Sequence, residues 1–185
     1  MESSKELDAV SFSSLNETDF ELMYKWLNTD FVKRWYSKRN WTFDEIVENY
    51  TPYIQKQKLT GEPVESFTIV YEGKKIGYIQ TYLLKDYPEY NMLVQPGDGS
   101  SGIDLFIGER EYLHKGLGSK IIRKFIREKI FCNTYINKCV IGPEPGNAAA
   151  IRAYEKAGFR YVKTIQVPDE TEPEYIMELL RTDME

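Results

Sequence analysis

The chain has 185 residues, of which 42% are hydrophobic, and it carries a formal net charge of -5 at pH 7. This length is sufficient for one α/β domain with a full core and short for two, and repeats and linkers are missing, so we predict a single domain over residues 1–185. The negative charge argues against nucleic acid or an anionic membrane as a partner and permits a cationic one.

The N-terminal segment lacks the basic and apolar stretches of a signal peptide, and no run approaches the roughly 18 apolar residues of a membrane span. We therefore expect a cytoplasmic protein. Cys132 and Cys139 have apolar neighbours and are predicted to be buried thiols rather than a disulfide or metal pair. With His114 as the single histidine, we expect no metal site.

The N-terminal half predicts one strand, then helices, then a β-hairpin. Asn16 and Asp19 are candidate caps for the first helix, and Thr42 or Asp44 would cap the third, which Pro52 is predicted to kink or split. The predicted elements are a strand over 10–15, helices over 19–27, 30–36 and 42–57, and paired strands over 66–71 and 76–84.

A strand, a glycine-containing loop and a helix follow one another in the second half. The strand covers Ile103 to Ile107, the loop covers His114 to Lys120, and apolar residues then recur at helical spacing. Glycines let the main chain approach an anion, and the free N–H groups of a first helical turn point at it. The glycine spacing excludes a P-loop and a dinucleotide-binding fingerprint. Taken alone, the loop is explained equally well as a tight turn.

A second motif lies downstream, between Asn147 and Phe159. Asn147 is a candidate N-cap, apolar residues mark a helix, and Gly158 is expected to end it in the left-handed conformation. A strand is predicted to follow over 159–167.

Asp104 stands in the middle of an apolar strand. Alternation places it on one face with Phe106, whereas Ile103 and Leu105 face the other way. A carboxylate that is buried without a partner costs several kcal/mol, so Asp104 must be ion-paired, hydrogen-bonded or in a cleft. A structural carboxylate satisfied by Arg or by backbone N–H groups is one interpretation.

Together, the K-G-L-G loop and the pattern N-x-x-A-I-x-x-Y-x-x-x-G-F resemble the GNAT superfamily of acyl-CoA-dependent N-acyltransferases. The stretch 23–42, MYKWLNTDFVKRWYSKRNWT, and the segment G-I-D-x-F-I-G-E are similar to those of aminoglycoside 6'-N-acetyltransferases, and the similarity extends from about Phe20 to Met177. The resemblance implies an α/β (α+β) GNAT fold, with a mixed, mostly antiparallel sheet of six to seven strands and helices on both faces.

The resemblance also implies acetyl-CoA as the cofactor. The pyrophosphate would lie on backbone N–H groups of the loop, the strand near Phe106 would supply an N–H to the oxyanion, and Asn147 would contact the pantetheine arm or only cap its helix. Tyr154 would give a proton to the leaving thiolate, and ordinary helix packing is its alternative role. The implied cofactor-binding residues are Leu105, Phe106, Ile107, His114, Lys115, Gly116, Leu117, Gly118, Ser119, Lys120, Asn147 and Ala150.

For the acceptor, the resemblance implies an aromatic and acidic pocket. Trp35 and Tyr36 would line it, and Asp86 and Asp169 would contribute from loops. Asp104 falls on the position of the family's proposed general base, so it would act as the base or as an anchor for the amine. Core packing is the alternative for the aromatic pair, and a solvated loop is the alternative for each of Asp86 and Asp169.

One position departs from the family pattern. Where those enzymes often have T-D-P before the capping Asn, this chain has Ile141-Gly142-Pro143, so a carboxylate expected to contact the drug is replaced by Gly142. Glu144 is a candidate substitute from two residues on. The departure bears on the substrate range more than on the reaction.

The sequence therefore predicts a metal-independent enzyme, monomeric or homodimeric, that acetylates the 6'-amine of aminoglycosides. Two alternatives stay open at this point. One is acetylation of another amine, such as a protein N-terminus, a lysine, a polyamine or a siderophore. The other is an acyl-CoA-binding sensor without turnover, which would have no need of Asp104 and Tyr154.

Overall fold

The computed structural model describes residues 9–168 and 170–184. The strands are β1 Val10–Ser14, β2 Glu65–Tyr71, β3 Lys74–Leu83, β4 Ser100–Ile107, β5 Lys138–Ile141, β6 Arg160–Ile165 and β7 Glu174–Leu180. The α-helices are α1 Phe20–Leu27, α2 Asp30–Val32, α3 Phe43–Ile54, α4 Pro88–Val94, α5 Leu117–Phe125 and α6 Ala148–Ala157. Lys33–Ser37 and Ile126–Ile130 are π-helical turns.

The strands form a seven-stranded sheet in the order β1-β2-β3-β4-β5-β7-β6. Strands β4 and β5 run parallel, with Ser101 opposite Cys139. The pairs β1/β2, β2/β3, β5/β7 and β6/β7 are antiparallel. The predicted mixed sheet of six to seven strands is therefore confirmed, although β6 is shorter than the predicted strand over 159–167.

The chain divides into two compact units, and the first comprises residues up to Thr81 together with Asp104–Lys115. Its core is built on α1, whose residues Phe20, Met23, Trp26 and Leu27 recur at helical spacing and are all buried. The turn before α1 is fixed by a capping box between Asn16 and Asp19. Buried residues of α3, β3 and β4 complete this core, among them Ile46, Tyr50, Tyr78 and Phe106.

Helix α3 begins as predicted and does not split. Thr42 is its N-cap and forms a capping box with Glu45, whose pKa is lowered to about 2 by hydrogen bonds, first from the Thr42 backbone and then from Arg39. Pro52 lies in the last turn, where the helix loses one N–H donor just before it ends at Ile54. The predicted split at Pro52 is therefore wrong, and the predicted kink stays a prediction.

The second unit comprises Tyr82–Ile103 and the chain from Gly116 onward. Helices α5 and α6 pack against each other, and Arg123 of α5 donates to the Ala157 carbonyl oxygen at 3.0 Å. Helix α6 ends at Gly158, which has a φ of 105°, as the sequence predicts.

The two cysteines differ in environment. Both are free thiols, and Cys139 of β5 is buried, but Cys132 is exposed. The prediction of a buried thiol at Cys132 is wrong because the chain turns directly after the buried Phe131. Within 9–168 and 170–184, no helix has the length and hydropathy to span a membrane.

Gly108 provides a test of the core of the first unit. A Cβ on Gly108 would overlap the indole of Trp26, which is fully buried and donates from Nε1 to Glu109 Oε1 at 2.9 Å. We expect Gly108→Ala to lower the free energy of unfolding by about 1–3 kcal/mol through overpacking, as measured by urea denaturation. Gly118→Ala is the control, since its Cβ would meet Ala153 Cβ at an ordinary 3.5 Å. Equal stability of Gly108→Ala and the wild type would contradict this packing.

Candidate active site

The Asp104 carboxylate is held by a hydrogen bond from a neighbouring strand. Asp104 lies on β4 and is half-buried, and Gln80 of β3 donates from Nε2 to Asp104 Oδ2 at 2.7 Å. Tyr78, two residues before Gln80 on β3, stacks on Phe106, with ring centroids 5.7 Å apart. These contacts agree with the predicted alternation, which places Asp104 and Phe106 on one face of β4.

The charge of Asp104 acts on four tyrosine hydroxyls. Burial raises the pKa of Tyr36, Tyr50 and Tyr78 well above its ordinary value, and the negative charge of Asp104 adds to each rise. Burial raises the pKa of Tyr53 to about 12, with Asp104 as the second cause. All four phenols therefore remain neutral O–H groups at neutral pH.

The aromatic rings near Asp104 come from three elements. Tyr36, in the π-helical turn, meets Phe106 edge to face at a centroid distance of 4.8 Å. Tyr50 of α3 contacts Tyr53 at 5.0 Å and Tyr78 at 5.9 Å. A half-buried carboxylate among aromatic faces and neutral hydroxyls can bind an alkylammonium ion through charge, hydrogen bonds and cation–π contact.

The aromatic pair predicted to line the acceptor pocket has two different environments. Tyr36 packs on the buried cluster that contains Tyr78 and Phe106. Trp35 is half-buried, and the Arg34 guanidinium lies 4.7 Å from its ring centroid. Of the two aromatic residues, Tyr36 is therefore the one that lies near Asp104.

Strand β4 ends irregularly, directly after the predicted cofactor-binding residues Leu105, Phe106 and Ile107. The N–H groups of Gly108 and Glu109 both donate to the Ile76 carbonyl oxygen, at 2.8 and 3.2 Å. Two consecutive N–H groups on one carbonyl break the regular ladder of β4, so the sheet pattern stops at this point.

The glycine loop leads into α5 without a side-chain cap. His114 and Gly116 have positive φ values of 59° and 73°, and Gly116 is the N-cap residue of α5. No side chain caps this N-terminus, and the first turn of an α-helix has unpaired N–H groups. The loop residues Lys115, Ser119 and Lys120 are exposed or half-buried, and Leu117 is buried. The N-terminus of α5 is therefore open to an anion.

The motif residues of α6 adopt their predicted local structure. Asn147 caps the helix, because its Oδ1 accepts from the Ala150 N–H at 3.2 Å. Tyr154 is buried, and its ring lies 5.9 Å from that of Phe159. Asn147, Ala150 and Tyr154 belong to the second unit, whereas Asp104 belongs to the first.

The two acidic loop residues have different outcomes. Asp86 is half-buried and ends the 3-10 turn Leu84–Asp86 in the second unit. Asp169 lies outside the described residues. The roles of both in substrate binding stay predictions.

Gly142 is adjacent to a carboxylate from another strand. A Cβ on Gly142 would overlap Glu174 Oε2 and would lie 3.1 Å from Ile176 Cδ1, so a side chain there would have to displace the Glu174 carboxylate. Tyr90 of α4 donates to the same Glu174 oxygen at 2.6 Å. An acid from β7 thus occupies the space that a side chain at position 142 would need.

Sequence reasoning missed several residues of this site. The sequence predicts Tyr78 and Gln80 only as members of a strand, and Tyr50 and Tyr53 only as members of a helix. A glutamine within the apolar strand I-G-Y-I-Q-T-Y-L is the signal that could have identified Gln80, since a buried amide needs polar partners.

Comparison with known proteins decides the family. The model of the acetyltransferase (GNAT) domain matches residues 16–167. The chain belongs to the GNAT acetyltransferase family. This GNAT chain is 31% identical, over 164 residues, to the aminoglycoside N(6')-acetyltransferase type 1 of Klebsiella pneumoniae, covering 88% of the chain and 79% of that relative.

Solved structures confirm the GNAT fold. The structure of AAC(6')-Ib in complex with paromomycin and acetyl-CoA superposes with a TM-score of 0.82 at 30% identity, covering 95% of this chain and 96% of the other. The structure of AAC(6')-Ib with coenzyme A and kanamycin gives a TM-score of 0.80 at 29% identity, covering 94% and 96%.

Proposed function

We propose that this GNAT acetyltransferase moves the acetyl group of acetyl-CoA to the 6'-amine of aminoglycosides and thereby confers resistance to them. The observation that carries the proposal is the Asp104 carboxylate, half-buried among aromatic rings and neutral phenols. The similarity to aminoglycoside 6'-N-acetyltransferases over most of the chain supports the same substrate class.

Asp104 would prepare the amine for attack. An alkylamine is mostly protonated at neutral pH and has no lone pair to give, so a carboxylate at hydrogen-bond distance has to bind the ammonium and take its proton. A carboxylate accepts several hydrogen bonds, so Gln80 and a substrate ammonium can both donate to Asp104. The neutral tyrosine hydroxyls nearby can orient the substrate without competing for its charge.

The proposed cofactor-binding segments are the end of β4, the glycine loop and α6. The uncapped N-terminus of α5 suits a pyrophosphate, and the exposed Lys115 adds positive charge beside it. Bound acetyl-CoA would supply the acetyl group as a thioester. The main chain near Phe106 would donate an N–H to the carbonyl oxygen as negative charge develops there, and the Tyr154 hydroxyl would give a proton to the leaving sulfur.

Glu174 would supply the carboxylate that the family pattern places at position 142. Its carboxylate adjoins Gly142 and is held by Tyr90. We expect Glu174→Gln to raise the KM for aminoglycosides about tenfold, with little change in kcat, because the variant loses one charge-assisted hydrogen bond to the drug. Steady-state kinetics at saturating acetyl-CoA measures both constants.

Glu144→Gln is the matched control, because Glu144 is the other acid near Gly142 in the sequence. We expect it to leave the KM for aminoglycosides unchanged. A rise in KM with Glu144→Gln and none with Glu174→Gln would assign the substituted carboxylate to Glu144.

The substrate class is tested by thiol release from acetyl-CoA with a panel of aminoglycosides, polyamines and lysine peptides. We expect turnover with kanamycin-class drugs and little with the other amines. Turnover confined to polyamines or peptides would overturn the aminoglycoside assignment, and tight binding of acetyl-CoA without turnover of any amine would favour a sensor.

A further inference from the structure

A continuous hydrogen-bonded chain crosses three strands of the first unit and ends on Asp104. The Tyr78 hydroxyl lies 2.9 Å from Ser66 Oγ and 2.8 Å from Gln80 Oε1. Gln80 Nε2 lies 2.7 Å from Asp104 Oδ2. Ser66, Tyr78 and Gln80 are 6%, 0% and 5% exposed, so water contributes little to this chain.

The direction of every proton in this chain follows from chemistry. A carboxylate only accepts, so the Gln80 amide must present its NH2 group to Asp104 and its oxygen to Tyr78. Tyr78 has one hydroxyl hydrogen, which it must give to Gln80 Oε1, and the Ser66 hydroxyl must then donate to Tyr78. Burial raises the pKa of Tyr78, and the Ser66 hydrogen bond opposes this rise, as donation to the phenol oxygen requires.

We propose that Gln80 is a positioning residue for the acetyl transfer: locked by Tyr78 and Ser66, its amide keeps Asp104 oriented and ionised so that the carboxylate can take the substrate proton. The inference rests on the proposed role of Asp104. It follows from two properties of this hydrogen-bonded chain. The amide cannot rotate without breaking the Tyr78 contact, and an N–H donated to a carboxylate favours the charged form.

Among the described residues, the phenols whose pKa the Asp104 charge raises do not change charge in the range where such a reaction is measured. They come from three elements: Tyr36 from the π-helical turn, Tyr50 and Tyr53 from α3, and Tyr78 from β3. Their raised pKa values keep them neutral well above neutral pH. A shift in the acidic part of the pH profile on changing Gln80 would therefore report on Asp104.

The test is the pH dependence of kcat/KM in the wild type, Gln80→Met and Tyr78→Phe. The acidic limb reports ionisation of the free enzyme and the free substrate, and the substrate is common to all variants. We expect Gln80→Met to move this limb upward by about one pH unit, so that activity falls about tenfold at low pH and recovers at high pH. Tyr78→Phe releases the amide without removing it and should give a smaller shift in the same direction.

Thr68→Val is the control for a general effect of altering the sheet. Thr68 is a fully buried residue of β2 that lies opposite Tyr78 in the β2/β3 register, and its hydroxyl donates to the Ser13 carbonyl oxygen at 3.4 Å rather than to the chain that ends on Asp104. It should leave the acidic limb where the wild type has it. A loss of activity in Gln80→Met that is equal at all pH values, with no shift of the limb, would overturn the proposal.

A second readout separates this proposal from the acceptor assignment. The carboxyl 13C shift of Asp104, identified by its loss in Asp104→Asn, is titrated by NMR in the wild type and Gln80→Met without any substrate. Titration at higher pH in Gln80→Met supports the coupling even if no amine is turned over, in which case the proposed function alone fails. An unchanged titration overturns the coupling even in an active enzyme.

Discussion

Asp104→Asn is expected to lower kcat/KM for an aminoglycoside by about 100-fold or more at neutral pH, the usual contribution of a positioned base. An asparagine keeps the size of the side chain and can still accept from Gln80 Nε2 through its amide oxygen, so the 2.7 Å hydrogen bond need not be lost. What the variant loses is the negative charge and the ability to take a proton. Thiol release at saturating acetyl-CoA measures the effect.

Two controls accompany Asp104→Asn. Its urea unfolding midpoint should match that of the wild type, and Asp44→Asn, at an exposed acid in the first turn of α3, should retain full activity. If Asp104→Asn keeps the wild-type rate with an intact fold, Asp104 is a structural carboxylate and another group must take the proton.

Gly118→Ala is expected to raise the Kd for coenzyme A about tenfold or more while leaving the folded protein as stable as before or more stable. Gly118 lies inside α5, where alanine is favoured over glycine by about 0.5–1 kcal/mol. Its added Cβ would meet Ala153 Cβ at 3.5 Å, so the packing of α5 on α6 tolerates it. Neither the conformation nor the packing of Gly118 requires a glycine, so we predict that a ligand approaches the backbone at this position.

Gly116→Ala separates the two reasons for a glycine in this loop, which are a left-handed conformation at Gly116 and close approach of a ligand at Gly118. Gly116 has a φ of 73°, so alanine should cost about 1–2 kcal/mol of stability, measured by urea denaturation. Calorimetric titration with coenzyme A then compares the two variants. If Gly118→Ala binds coenzyme A as tightly as the wild type, the pyrophosphate does not lie against this turn.

The sequence predicted those parts of the fold that depend on local chemistry. Thr42, Asn147 and Gly158 were placed at helix ends because side-chain caps and left-handed glycines act within a few residues, and the structure has all three there. The two motifs that carry the GNAT resemblance are equally local. Boundaries were less accurate, as for β6, because tertiary pairing decides where a strand ends.

The parts that escaped prediction depend on register between distant segments. Ser66, Gln80 and Asp104 come together because three strands align, and alternation within one strand gives no sign of that alignment. The same holds for Tyr90 and Glu174, which are 84 residues apart in the chain. Exposure of Cys132 escaped for a different reason, since its apolar neighbours say nothing about the turn that follows Phe131.

Two drugs that differ at one position show whether the 6'-amine is acetylated. Neomycin has an amine at the 6' position where paromomycin has a hydroxyl, so thiol release from acetyl-CoA with each drug reports on acetylation at that position. We expect rapid turnover with neomycin, a mono-acetylated product modified at the 6'-nitrogen, and little turnover with paromomycin. Equal turnover with both drugs would contradict acetylation of the 6'-amine.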